Sequence, residues 1–372
     1  MVLVGTCLGV GIIELGVRML PPNAAAQTLF NAHEDAPAGL YMNDHKVAFR
    51  PTPGFQGSMK SLGYEVDIRV NELGLRGPAV QRDPRPVWLA LGDSFTFAAQ
   101  VPEEQSFVGL LGEELDVQLL NGGSDGHGTH HELARFRQLE KALSPEVVLV
   151  VFFTGNDFQN NVHWRSSLAG AKKRPDQEAP RAQSKPPLRS FLNRNSFLWG
   201  MVQMQIRARS FADASKPEVQ GLRGDMSIFH GSGEQVLQDG IEATRTPMQG
   251  LRDRVQRRGG QLMVAVASPA YAVEDHRTKA TFELVGLDLA GQDLDAPEGA
   301  VLELLEDLEI PGCALDSDLR EAYAQGERPY LAFDGHWSAS GHRVVAKTLS
   351  TCLSEQGFGG QEASKQGLTR QP

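Results

Sequence analysis

Four short runs of the chain are apolar almost without interruption: Val87–Leu91, Val117–Leu120, Val147–Phe153 and Leu262–Ala267. A strand with one wet face alternates apolar and polar residues, so unbroken runs of this length predict strands of a parallel sheet covered on both faces. A weaker fifth run lies near Cys313–Leu315. Between the runs, apolar residues recur at helical spacing over Ser106–Leu115, His130–Leu143, Ile241–Arg258 and Ala339–Leu353. The second of these starts behind Thr129-His-His-Glu132, a capping-box pattern that satisfies two free backbone N–H groups at a helix start. Strands and helices alternating through short links predict a three-layer α/β/α sandwich with a central parallel sheet. Ligands then gather at the carboxyl ends of the strands.

Three stretches depart from this rhythm. Residues 23–85 are punctuated by Gly and Pro and carry short alternating runs such as Tyr64–Val70, which predicts a small β annex. Residues 162–224 hold 12 Lys and Arg against four Asp and Glu. Within them, Lys172–Pro187 reads as a mobile loop and Arg189–Arg207 as one amphipathic helix packed on the core. The charge excess is a solvated face, with contact to anionic lipid or glycan as the sharper alternative. At the N-terminus, Val2–Ile13 is apolar and uncharged until Glu14. We read residues 1–22 as a membrane anchor or signal-like segment whose start lies upstream, which puts the domain that follows in the cell envelope, outside the cytoplasm; secretion and a short buried helix are the alternatives. The expected division is therefore 1–22, a β-rich annex at 23–85, an α/β domain at 86–355 with a basic insertion at 162–224, and a disordered tail at 356–372.

Composition narrows the class. The 372 residues are 41% hydrophobic and 22% charged, enough for a sizeable core. The net charge of −10 argues against nucleic acid as a partner of the whole molecule. Cys7, Cys313 and Cys352 are the only cysteines, too few for a disulfide scaffold and wrongly spaced for a metal finger. A single Cys313–Cys352 bridge is compatible with an oxidising compartment.

Four motifs fall where a parallel sheet would place its chemistry. Gly92-Asp93-Ser94-Phe95 follows the first strand, where a Gly permits a sharp turn and Ser94 would open a helix whose N–H groups stabilise an oxyanion. Asn121-Gly-Gly-Ser-Asp-Gly126-His-Gly128 follows the second, with glycines that let backbone approach a substrate. A dinucleotide loop fails because position 131 is His, and a zinc-protease reading of His127, His130, His131 and Glu132 fails because Arg135 stands where the second ligand belongs. Gly155-Asn156-Asp157 closes the third strand, either as a donor into the cleft or as an Asx turn. Asp334-Gly-His336-Trp337 precedes the last helix, with Ser338 as its N-cap. Residues two apart in an extended segment project together, so Asp334 would orient His336; His342 is a second candidate base, inside the helix.

The combination resembles the SGNH hydrolase (GDSL-like esterase) superfamily from about Val87 to Leu353, in particular its membrane-anchored bacterial envelope members. Asn71-Glu-Leu-Gly-Leu-Arg76 resembles a segment ahead of the domain in those members. The resemblance implies a flavodoxin-like SGNH fold, Ser94 as nucleophile, Asp334 and His336 as its partners, and an oxyanion hole made by Ser94 N–H, Gly126 N–H and the Asn156 side chain. The family's usual Asp-x-x-His is here Asp-x-His, a spacing that with a following Trp is similar to that of envelope proteins modifying polysaccharides. The α/β-hydrolase elbow is disfavoured, since Thr96 occupies the position of its second Gly. The expected activity is a serine esterase acting on an O-acylated glycan or lipid, with no cofactor and no metal. An envelope O-acyltransferase and a non-catalytic glycan-binding scaffold are the alternatives.

Overall fold

The computed structural model describes residues 2–18, 36–169, 187–211 and 217–358. The expected loop before Pro187 and the tail from residue 359 lie outside the described residues. Helix α1 (Val2–Arg18) is followed by two antiparallel hairpins, β1 (Tyr41–Asp44) with β2 (Ala48–Pro51) and β3 (Gln56–Ser61) with β4 (Tyr64–Arg69). In β4 the alternation turns Val66 and Ile68 inward, where they join Leu40, Phe49 and Phe97 in a small core. Among the described residues no helix is long and apolar enough to cross a membrane.

The α/β domain follows in chain order. Strand β5 (Val87–Gly92) leads to α2 (Ser94–Phe97) and α3 (Phe107–Glu114), β6 (Gln118–Asn121) to α4 (Thr129–Leu143), and β7 (Val147–Phe153) to α5 (Asp157–Ala169). The insertion contributes α6 (Pro187–Asn195), α7 (Phe197–Phe211) and α8 (Pro217–Ser227), and α9 (Glu234–Arg257) returns the chain to β8 (Gln261–Ala267). Then come α10 (Ala270–Val273), α11 (Asp275–Val285), α12 (Ala296–Asp307), β9 (Gly312–Ala314), α13 (Asp316–Ala324) and α14 (Ala339–Glu355). The sheet is wholly parallel in the order β6-β5-β7-β8-β9, the doubly wound arrangement of flavodoxin-like folds.

Both faces of the sheet are dry, as the apolar runs require. Every residue of β7 is buried. Val148, Val150 and Phe152 pack toward α4, α9 and α12, whereas Leu149, Val151 and Phe153 pack toward α3, α13 and α14. Three helical expectations need correction. The N-cap of α4 is Gly128, one residue early; its N–H donates to His131 Nδ1, and Glu132 is buried rather than capping. Helix α9 starts at Glu234, seven residues before the periodic pattern, because its first turns are mostly polar. The single helix expected over 189–207 is two, broken at Ser196, whose hydroxyl accepts from Trp199 N–H as a cap. A disulfide joins Cys313 of β9 to Cys352 of α14, pinning the edge strand to the last helix.

The Asn71–Arg76 segment acquires a structural role. Asn71 Oδ1 accepts from Leu73 and Leu75 N–H, forming a tight turn that delivers Arg76 into the interior. There the guanidinium donates to the carbonyls of Phe97 and Val101 at 2.6 Å each, and to that of Ala98. Ala98 ends α2 in the left-handed conformation, leaving carbonyls that no helix satisfies. Burial pulls Arg76 down to about 10, so it stays charged at neutral pH. Arg76→Ala should destabilise the protein by about 3 kcal/mol in urea unfolding, because it orphans several buried acceptors at once.

Candidate active site

The turn after β5 is set by sterics. Gly92 sits at φ 152°, where a Cβ would lie 2.2 Å from Thr96 Oγ1 and 2.9 Å from Val151 O. Asp93 then caps α2, accepting from Phe95 N–H at 2.8 Å, and Ser94 becomes the first helical residue at the strand's carboxyl end. The Phe95 ring stacks on Phe153 with centroids 4.0 Å apart and packs against the His336 ring at 4.7 Å.

From the far end of the chain, His336 Nε2 reaches Ser94 Oγ at 2.8 Å, and its Nδ1 is hydrogen-bonded to Asp334 Oδ1. The expected extended segment is instead a turn around Gly335 at φ 80°, which brings the carboxylate and imidazole together despite the short spacing. Burial works to lower the His336 pKa, but the charge and hydrogen bond of Asp334, helped by Asp93, leave it above the usual histidine value. Ser338 caps α14 as expected, accepting from Ser340 and Gly341 N–H. His342 lies buried in α14 with Nδ1 accepting from Phe107 N–H at 3.3 Å, and burial pushes it down to about 3. It does not meet Ser94.

Asn156 lines the same cleft. One Nδ2 proton goes to Asp93 Oδ2 at 3.2 Å, which fixes the amide plane and leaves the other for a ligand. The end of β7 is held instead by the neighbouring residue, since Asp157 Oδ2 accepts from Phe153 N–H at 2.9 Å. The glycine-rich loop after β6 serves packing first: a Cβ on Gly123 would lie 2.3 Å from Phe97 N. Gly126 is exposed, its carbonyl accepts from Asn160 Nδ2, and it is not among the residues lining the cleft. Of the nearby histidines, His127 Nε2 meets Phe49 O at 2.9 Å and its ring stacks on His131.

The cleft, about 290 Å³, has walls that no motif announced. Leu222 and Asp225 come from α8 of the basic insertion, and Tyr271 and Arg277 from the segment after β8. Outside it, Tyr64 of the annex donates to Asp334 Oδ2 at 2.8 Å. Its position 270 residues away carries no sequence signal; only the alternation of β4 marks it as part of an ordered strand.

A parallel sheet thus carries a serine, histidine and aspartate in line at its carboxyl edge, with an asparagine amide beside them, the arrangement that the resemblance to SGNH hydrolases implies. Residues 230–372 match the family model ALGX, described as the SGNH hydrolase-like domain of acetyltransferase AlgX; the match includes Asp334 and His336 and excludes Ser94. The match over this part of the chain supports assignment to the SGNH hydrolase superfamily, whose chemistry is of the esterase or acyltransferase type. No curated protein matches its sequence. Among solved structures it is similar to the acetyl xylan esterase AlAXEase (12% identity, 72% of this chain and 99% of that one, TM-score 0.40). It is also similar to the acetylxylan esterase Axe2 of Geobacillus stearothermophilus (12%, 73% and 94%, 0.38). A third is LAE5, an alpha/beta hydrolase from the metagenome of Lake Arreo, Spain (14%, 72% and 95%, 0.37).

Behind Ser94, Asp93, Glu132 and Asp157 are all buried, and burial raises the pKa of each, with Asp93 adding repulsion at Glu132 and Asp157, and Asp125 adding it at Asp93. Neither Glu132 oxygen has a hydrogen-bond partner among the described residues. A carboxyl whose folded pKa is raised contributes stability that is present below its usual range and lost as pH rises toward the folded value. Glu132→Gln removes that dependence. The variant should gain thermal stability relative to the parent at pH 8 and gain little at pH 4, as followed by melting curves across the range.

Proposed function

We propose that the chain is a cell-envelope serine esterase that removes an acyl group from an O-acylated glycan or lipid through an acyl-enzyme. The observation that carries this reading is the unbroken line from Asp334 through His336 to Ser94 Oγ at the mouth of a cleft. Ser94 Oγ attacks the ester carbonyl while His336 Nε2 takes its proton and Asp334 stabilises the imidazolium. The tetrahedral oxyanion is held by Ser94 N–H and the free Asn156 N–H. Gly126 N–H is the third donor that the resemblance implies, although Gly126 does not line the cleft. His336 returns the proton to the leaving alcohol, and water then attacks the acyl-enzyme by the same route in reverse.

Transfer to a sugar hydroxyl in place of water is the second reading, favoured by the acetyltransferase in the description of the matching family. Partitioning of p-nitrophenyl acetate turnover with added glycan acceptor separates the two: a hydrolase releases acetate throughout, whereas a transferase moves acetyl to the acceptor. A scaffold without activity would show neither, nor label with a fluorophosphonate. The Cys313–Cys352 disulfide supports placement in an oxidising compartment, outside the cytoplasm.

Ser94→Ala and His336→Ala should each abolish turnover to within about 10³–10⁴-fold of the uncatalysed rate, whereas His342→Ala retains the active-site chemistry. Active Ser94→Ala protein would overturn the assignment. Tyr64→Phe tests a positioning residue: kcat should fall about tenfold with KM unchanged, roughly the strength of one hydrogen bond to a charged group. The acid limb of its kcat/KM profile should move to higher pH, because Asp334 loses a donor that competes with His336 for its charge.

A further inference from the structure

Ten large apolar side chains are exposed among the described residues, and seven of them lie on three helices. Ile12, Ile13 and Leu15 belong to α1, Leu188 and Phe191 to α6, and Val202 and Ile206 to α7. These helices are fastened to one another. The Glu14 carboxylate accepts from the N–H groups of Phe197 and Leu198 at 2.7 and 3.1 Å and from the Ser196 hydroxyl at 2.8 Å. Arg18 donates to Asn195 O at 2.8 Å and lies over the Phe197 ring. On its inner side α7 is committed to the protein, since Phe197 and Met201 pack with Leu62 and Phe333 next to the Asp334–His336 turn. The apolar residues left outside therefore form an outer face of fixed orientation.

The charge around that face identifies what it fits. Arg18, Arg189, Arg194 and Arg209 are exposed on the same three helices. Against these arginines the three helices carry a single acidic residue, Glu14, in a molecule whose net charge is −10. Apolar residues interleaved with arginines on helices are the chemistry of a surface that lies in the headgroup region of an anionic bilayer.

We propose that α1, α6 and α7 form a composite seat for an anionic membrane surface, independent of the identity of the ester. Phe197 against Phe333 then ties the seat to the catalytic turn, so the cleft works close to the bilayer plane. Ester turnover on a soluble substrate needs none of these outer residues, which separates the test from that of the proposed reaction.

The test is flotation of the full chain with vesicles of phosphatidylcholine and phosphatidylglycerol at 7:3, beside vesicles of phosphatidylcholine alone. Binding should favour the anionic vesicles and weaken in 0.5 M salt. Arg189→Glu with Arg194→Glu should lower the partition coefficient by about 25-fold or more, at about fivefold per arginine removed. Phe191→Glu with Ile206→Glu should lower it at least tenfold, and both pairs should leave p-nitrophenyl acetate turnover unchanged. Variants that float like the parent would overturn the seat, leaving any affinity to α1 alone. So would a chain without vesicle affinity that light scattering shows to be a dimer split by the same substitutions, because the face would then be an interface between copies.

Discussion

The buried carboxyl of Asp93 governs the geometry of the whole site. It accepts Phe95 N–H across the turn after β5 and the Asn156 amide across the turn after β7. The oxygen that would attack and the amide that would hold the resulting charge are thus referenced to one group on two adjacent strands. A fully buried charge is costly unless several donors meet it, and here Glu132 and Asp157 add repulsion rather than relief. That cost is borne at the one place where displacement of an ångström would separate nucleophile from donor.

The opposite wall is built differently. Asp334 and His336 sit on a turn with few backbone bonds of its own, chiefly Leu331 N–H to His336 O at 2.8 Å. Its shape is imposed by neighbours: Arg277 donates to Leu331 O, Tyr64 to Asp334, and Trp337 is fully buried against Phe95 and Phe107. Tyr64 of the annex and Phe197 of the insertion, which packs on Phe333, lie outside the repeating strand–helix pattern. A rigid imidazole on an irregular segment requires such outside packing.

How much of this could be read from the residues follows from where the information is local. The strands were legible because burial on both faces leaves an unbroken apolar run, and β9, only three residues long, showed weakly for the same reason. Ser94, Asn156 and His336 were legible as motifs at strand ends and before a cap. The start of α4 was misplaced because the Thr-to-Glu spacing mimics a cap, while the burial of Glu132 is decided by tertiary packing with Asp93 and Asp157. The break at Ser196 depends on Glu14, some 180 residues away, which meets the new helix start. Tyr64 was invisible for the same reason: its partner is determined by how a hairpin docks, not by what surrounds it in sequence.

The hydroxyl of Ser94 and the imidazole that serves it are separated by 242 positions along the chain. A polypeptide emerging from its N-terminus therefore has a complete β5 and a poised serine long before it has a base. Activity must wait for β9, α13 and the segment before α14 to dock, and contacts of such long range form late and slowly. On the proposed reading the molecule is consequently inert toward esters throughout its synthesis. Onset of turnover would serve as a clock for completion of the fold.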